Sequence, residues 1–331
     1  MMRTRISELL LFTCFFGASC HSQKTFGEDQ LILKQEIVLP NVEGRIDHMD
    51  ADTKKQVVFM SALGNNSVEI VDIKNGKHLF SIKKLSEPQG VIFIPQTNEL
   101  MVANGGNGRC QFYDTETFQL KGMIELGSDA DDIRYDSTNK KIYVGYGSGG
   151  IAVIDPLKYQ KTADIKLPEH PEGFQIDYGL KKLFVNVPDA KQIDVIDLNS
   201  AKVIANWKTE YNANFPMAID ESTHIIFVGY RHPARLVAID ENTGKTIAVS
   251  DLIGDSDDLY YDQRSKKIYA SGGSGAINIY KFENSGLKQI ASIETRSGAR
   301  TSLFIPALNT FILAERAGGN EPARLSVFNI K

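Results

Sequence analysis

The stretch YDSTNKKIYVGYGSGGIAVID, residues 135–155, decides the fold because the chain repeats it. IDYGLKKLFVNVPDAKQIDVID (176–197), IDESTHIIFVGYRHPARLVAID (219–240) and YDQRSKKIYASGGSGAINIY (261–280) follow the same plan. Diverged copies are MDADTKKQVVFMSALGNNSVEIVD (49–72), IPQTNELMVANGGNGRCQFYD (94–114) and IPALNTFILAERAGGNEPARLSVFN (305–329). A turn residue opens each copy at Asp50, Pro95, Asp136, Asp177, Asp220, Asp262 and Pro306, with gaps of 45, 41, 41, 43, 42 and 44 residues. Such a period means a stack of similar units, none of which can bury its apolar surface alone.

Each unit reads as strands. β-branched, aromatic and other apolar residues cluster in short runs, and Gly, Asn, Asp and Ser punctuate them. No stretch keeps a helical period. Four short strands in about 42 residues make a propeller blade, so the expected fold is all-β: a seven-bladed β-propeller of four-stranded antiparallel blades. The last unit stops after its third strand, near Lys331. Its missing strand stands at the other end. Glu36-Ile37-Val38-Leu39-Pro40 followed by Gly44-Arg45-Ile46-Asp47 mirrors Asp164-Ile165-Lys166-Leu167-Pro168 followed by Gly173-Phe174-Gln175-Ile176. Residues 31–40 are therefore expected to join the last blade and close the ring, which removes open sheet edges.

Ile-Tyr-Val-Gly (142–145), Leu-Phe-Val-Asn (183–186) and Ile-Phe-Val-Gly (226–229), with Val-Ile-Asp at 153–155 and 195–197, resemble the repeat of the YVTN, or YncE-like, β-propeller family. The resemblance runs from about residue 31 to the end. It implies the propeller and leaves function open, since such folds host many functions. A WD40 pattern fits less well, because Trp207 is followed by Lys208 and not by aspartate.

The 331 residues are 42% hydrophobic and 24% charged, enough for a core and unlike a disordered chain. A net charge of -4 argues against nucleic acid as partner. The N-terminus has the layout of an export leader: Arg3 and Arg5, an apolar run from Leu9 to Phe16, small residues Gly17-Ala18-Ser19, then Cys20. It resembles a bacterial lipoprotein signal, which implies cleavage of residues 1–19 and lipidation of Cys20 as first mature residue. Residues 20–30 then form a polar tether and residues 31–331 the propeller. The expected location is the cell envelope, anchored in the periplasm or at the outer membrane, with membrane contact only through the lipid. Gly17 departs from the usual aliphatic residue, so ordinary cleavage to a soluble periplasmic protein is the alternative. Cys110 is then the single cysteine of the folded body, which must hold together without an internal disulfide.

Propellers bind ligands where inner strands begin around the central channel. The residues expected at that mouth are Arg45, His48, Gln89, Asp131, Asp132, His170, Glu172, Asn214, Arg231, Asp257, Asp258 and Arg300. Asp131-Asp132-Ile133-Arg134-Tyr135-Asp136 recurs 126 residues later as Asp257-Asp258-Leu259-Tyr260-Tyr261-Asp262, three blades on and nearly across the ring. Clustered carboxylates invite a divalent cation, with Asp131, Asp257 and His170 as candidate ligands; equally, each aspartate can cap a turn. His48, His170 and His232 could meet Glu172 for acid–base work. The arginines could clamp an anion or pair with the aspartates. The glycine-rich loops precede no helix and are strand turns, not phosphate loops. No cofactor motif is present. The expected role is a monomeric binding or scaffolding propeller for a small molecule or an envelope protein; the alternative is a metal-assisted lyase or lactonase-like hydrolase on the same rim.

Overall fold

Seven separate four-stranded antiparallel sheets account for all 28 strands of the computed structural model, which describes residues 30–331. The expected export leader, Cys20 and the expected tether up to residue 29 lie outside the described residues. The blades span residues 49–83, 88–125, 130–166, 174–208, 212–251, 256–294 and 302–330, in chain order one to seven. Within blades one to six, sequence order is sheet order from the inner strand outward. Single 3-10 turns stand at Leu63–Asn65 and Pro306–Leu308.

Blade seven has three consecutive strands, and Leu31–Leu39 supplies its fourth. That strand pairs antiparallel with Ala323–Ile330, from Leu31 opposite Ile330 to Leu39 opposite Ala323. Leu31, Ile37 and Leu39 turn inward, while Ile32 and Val38 face out. The N-terminal strand closes the ring, as the repeat requires.

Middle strands such as Lys141–Tyr146 and Gly150–Asp155 are buried along nearly their whole length, because both faces pack on neighbouring blades. This explains their continuous apolar runs. Outer strands such as Gln160–Lys166 are mostly exposed. The core is thus a series of inter-blade layers; one of them joins Ile37 and Leu39 to Val58, Met60, Ile312, Leu325 and Val327 across the closure.

The turn after each inner strand is a repeated device. Asp136 Oδ1 accepts from the Thr138 and Asn139 N–H groups at 2.9 and 3.0 Å, and Lys140 takes a left-handed backbone, φ 54°. The same left-handed position recurs at Gln56, Asn98, Lys181, His224, Lys266 and Asn309, at intervals of 41 to 43 residues. One turn residue was misplaced in sequence. Asp52, not Asp50, opens the first turn, accepting from Lys54 and Lys55. Asp50 lies on the inner strand and accepts from the Phe93 N–H of blade two at 2.7 Å.

Candidate functional site

Four of the seven inner strands begin irregularly at the same end of the channel. Pairing to the second strand slips between Pro88 and Val91, Ala130 and Ile133, Asn214 and Met217, and Ser256 and Asp258. An extra residue in one strand bends it and re-aims its side chains. Before each bulge stands a non-glycine residue in the left-handed region: Glu87 (φ 50°), Asp129 (41°), Ala213 (58°) and Asp255 (54°). Each costs roughly 1–2 kcal/mol. In blades two, three and six, second-strand loops hold it there, with Gly105, Gly147 and Gly273 donating to the carbonyls of Glu87, Asp129 and Asp255. In blades three and six the result turns both aspartate pairs into the channel.

The channel mouth is a cavity of about 490 Å³ to which all seven blades contribute. Arg45, His48, Gln89, Asp131, Asp132, His170, Glu172, Arg231, Asp257, Asp258 and Arg300 line it. Asn214 does not. It is fully buried and donates to Asn186 Oδ1 and the Gln192 carbonyl, both at 3.0 Å, stitching blade five to blade four. Strand pairing shows why: Asn214 stands where Ala130 and Ser256 do, and Phe215 takes the place of Asp131 and Asp257. His232 is exposed and also stays out of the cavity.

The twin aspartate pairs sit in different surroundings. Asp257 is held between arginines: Arg231 donates to Oδ1, and Arg300 Nε lies 2.9 Å from Oδ2. Arg231 also donates to the Ser256 carbonyl at 2.9 Å and lies over the Phe215 ring, 3.8 Å from its centroid. Arg300 reaches Asp255 as well, at 2.9 Å. Such a planar cation with several fixed partners is locked in place. Asp131 instead stands between histidines, with His48 Nε2 3.6 Å from Oδ1 and His170 Nε2 3.8 Å from Oδ2. These are ion-pair distances, too long for hydrogen bonds. Asp131 Oδ1 is buried with no hydrogen-bond partner. Asp132 is 3% exposed; Arg134 and the Ile133 N–H donate to its Oδ1, while its Oδ2 also lacks a partner.

These neighbours reset the acid–base chemistry. Burial would push the Asp131 carboxyl up, but His170 and His48 outweigh it and hold the group well below the usual range. Burial works against a charged His170, yet Asp131, the Gly147 carbonyl and Glu172 raise it to about 9. His48 is likewise raised, by Asp131, Asp132 and Asp47 against its burial. Burial, aided by Asp131, pushes Glu172 up to about 8. Burial, with Asp257 adding to it, brings Asp258 to about 7. At neutral pH the mouth therefore mixes charged acceptors, charged donors and carboxyls that still hold a proton.

Sequence reasoning missed Asp47, Asp50, Arg134 and Tyr260, all of which line the cavity. The period of two along a strand would have found three of them: Asp50 follows His48, Arg134 follows Asp132 and Tyr260 follows Asp258 by two places. Asp47 stands beside His48 at the entry to the first inner strand. It is 4% exposed, Arg45 pairs with it at 2.8 Å, and burial raises it to about 7.

No protein-family model and no curated protein matches the chain. Solved structures do. One, titled "Crystal Structure of Mitotic Checkpoint Complex", superposes with TM-score 0.78 at 16% identity, covering 99% of this chain and 99% of that one. Another, the hydrazine synthase of Kuenenia stuttgartiensis, gives TM-score 0.73 at 18% identity over 87% of this chain and 97% of that one. At such identities they establish the fold class, a seven-bladed β-propeller, and nothing about the site.

Proposed function

We propose that this protein is a binding propeller that holds a small, donor-rich polar ligand, an amine or a polyol, at its channel mouth. The observation that carries this reading is the pair of buried acceptors, Asp131 Oδ1 and Asp132 Oδ2, which belong to residues lining the cavity and have no hydrogen-bond partner. A buried acceptor left unmade costs about 1–3 kcal/mol, so a ligand O–H or N–H placed there gains what the empty site lacks. On the other wall Arg231 and Arg300 are already paired with two carboxylates, Asp257 and Asp255, which argues against a simple anion clamp. Cation capture at Asp257 is disfavoured for the same reason, since the guanidinium groups occupy both its oxygens.

The test is thermal unfolding against a panel of millimolar amines, amino acids and sugars, on wild type and on Asp131→Asn. A ligand at 100 times its Kd stabilises by about 2.7 kcal/mol. Stabilisation should vanish in the variant. A panel without effect, or one that stabilises both proteins equally, would remove Asp131 from the role.

A second reading keeps acid–base catalysis, as in a lyase or lactonase-like hydrolase. What favours it is Glu172, half-buried and raised to about 8 beside His170, within the range useful for a general acid. On this reading His170 or Asp131 would also be the first candidates to hold a divalent metal.

We further propose that the protein is exported and tethered through a lipidated Cys20, and that its motifs place it with YVTN, or YncE-like, propellers. The leader's layout and the Ile-Tyr-Val-Gly repeats support this. A protein partner in the envelope is the natural second ligand of such a tethered ring. One structural neighbour belongs, by its title, to a protein complex.

A further inference from the structure

On the face opposite the channel mouth, ligand atoms of Asp177, His224 and Glu241 lie within 4.8 Å of one another. Asp177 ends the inner strand of blade four. His224 occupies the left-handed turn of blade five, and Glu241 follows that blade's third strand. The Glu241 N–H donates to the His224 carbonyl at 2.9 Å, which fixes the two side by side. Asp177 and Glu241 are 1% and 0% exposed, whereas the His224 side chain is 47% exposed and opens the cluster to solvent.

The hydrogen bonding is incomplete where the three converge. Asp177 Oδ1 accepts from the Leu180 N–H at 2.5 Å, but Oδ2 has no partner. Glu241 Oε2 lies 3.3 Å from His224 Nδ1, but Oε1 has none. Two buried carboxylate oxygens without donors is an arrangement that needs a cation or a proton.

The repeat shows that folding does not ask for it. The backbone bond to the left-handed turn residue recurs as Ile73 to Gln56, Thr115 to Asn98, Leu198 to Lys181 and Ile330 to Asn309. At the place of Glu241 these blades carry isoleucine, threonine or leucine, and at the place of His224 the other six blades put Gln56, Asn98, Lys140, Lys181, Lys266 and Asn309. Blade five alone combines a buried glutamate with a histidine there, facing the Asp177 of its neighbour.

We propose that Asp177, His224 and Glu241 form a divalent metal site that takes Zn²⁺ and staples blade four to blade five. Two carboxylates and one imidazole suit zinc, with water completing the shell through the open side; calcium would demand six or more oxygens. Nearby charge agrees. Glu221, which accepts from the Tyr178 N–H at 3.2 Å, adds negative potential, and Lys182 is the basic group that opposes it at Glu241.

The experiment is calorimetric titration of the full chain with ZnCl₂ at neutral pH, with MgCl₂ and CaCl₂ as comparators, alongside thermal unfolding. The variants are Glu241→Leu and His224→Lys, the residues that blade four itself carries at Leu198 and Lys181, so the fold accommodates them. Wild type should bind one zinc and gain Tm. Glu241→Leu should abolish both effects. His224→Lys should weaken binding by at least about tenfold, the smallest loss usual even for outer partners of a metal ligand. Asp131→Asn should still bind, which separates this site from the channel mouth. Absence of saturable micromolar binding overturns the proposal, as does zinc bound equally by both variants. A proton shared between Asp177 and Glu241 would give the first of those results.

Discussion

Replacing Leu39 by alanine measures what ring closure contributes. Leu39 is fully buried, in a layer with Ile37, Leu325 and Val327, whereas its neighbour Val38 is 51% exposed. Losing the buried leucine removes roughly 0.8 kcal/mol per methylene-sized group and leaves a cavity. The combined cost is about 2–5 kcal/mol. Against a total stability of about 5–15 kcal/mol, that is a large fraction. Val38→Ala, on the same strand but facing solvent, should stay within about 0.5 kcal/mol of wild type. Equilibrium urea unfolding followed by far-UV circular dichroism reads both variants. A protein that starts after Pro40 carries the reasoning further. It forfeits the burial of Leu31, Ile37 and Leu39, about 1.5–3 kcal/mol each, and leaves Ala323–Ile330 as an unpaired edge, so it should associate on a sizing column. The account fails if Leu39→Ala and Val38→Ala unfold alike. It also fails if the shortened protein elutes as a monomer with unchanged Tm, for then the three-stranded last blade closes the ring without help.

Stability should fall as pH rises from 5 to 9. Glu172 holds its proton to about 8 when folded but only to its ordinary 4.5 when unfolded, so its contribution is complete below 4.5 and is lost as pH climbs through 8. His170, raised from 6.5 to about 9, acts with the same sign over the upper part of that window. Glu172→Gln should flatten the decline in Tm between pH 5 and 8; a Tm that rises across the window, or an unaltered slope in the variant, would reverse the assignment. Cys20→Ala should release the protein from the membrane fraction or leave its precursor uncleaved, and a soluble mature form of equal mass with or without Cys20 would favour ordinary signal cleavage.

The backbone was readable in the sequence because every blade states it again. A left-handed residue after each inner strand, a glycine-rich loop after most second strands and a short apolar run between them are local demands, and seven repetitions average out the noise of any single copy. Where a copy diverges, the reading slipped, as at Asp50, whose place in the diverged first unit is two residues before the true turn at Asp52. Asn214 failed for a related reason. Its polarity suggested a channel residue, but the bulge in blade five assigns the channel-facing position to Phe215, and polarity at Asn214 serves two bonds to blade four.

The side-chain chemistry was less readable, and the twin aspartate pairs show why. Asp131-Asp132 and Asp257-Asp258 start from the same backbone, the same bulge and the same preceding left-handed aspartate. Yet Asp131 meets His48 and His170, while Asp257 meets Arg231 and Arg300. Those partners come from other blades, at positions where the repeat places no constraint. A repeat therefore sets where a side chain points, and departures from the repeat set what it meets there. The same logic singles out Glu241 on the opposite face: it is informative because its counterparts Ile73, Thr115, Leu198 and Ile330 show that the fold stands without a carboxylate. In a ring built from similar units, chemistry gathers where one unit stops resembling its neighbours: His224 and Glu241, two departures within blade five, meet at Asp177 an aspartate that the repeat already provides in blade four.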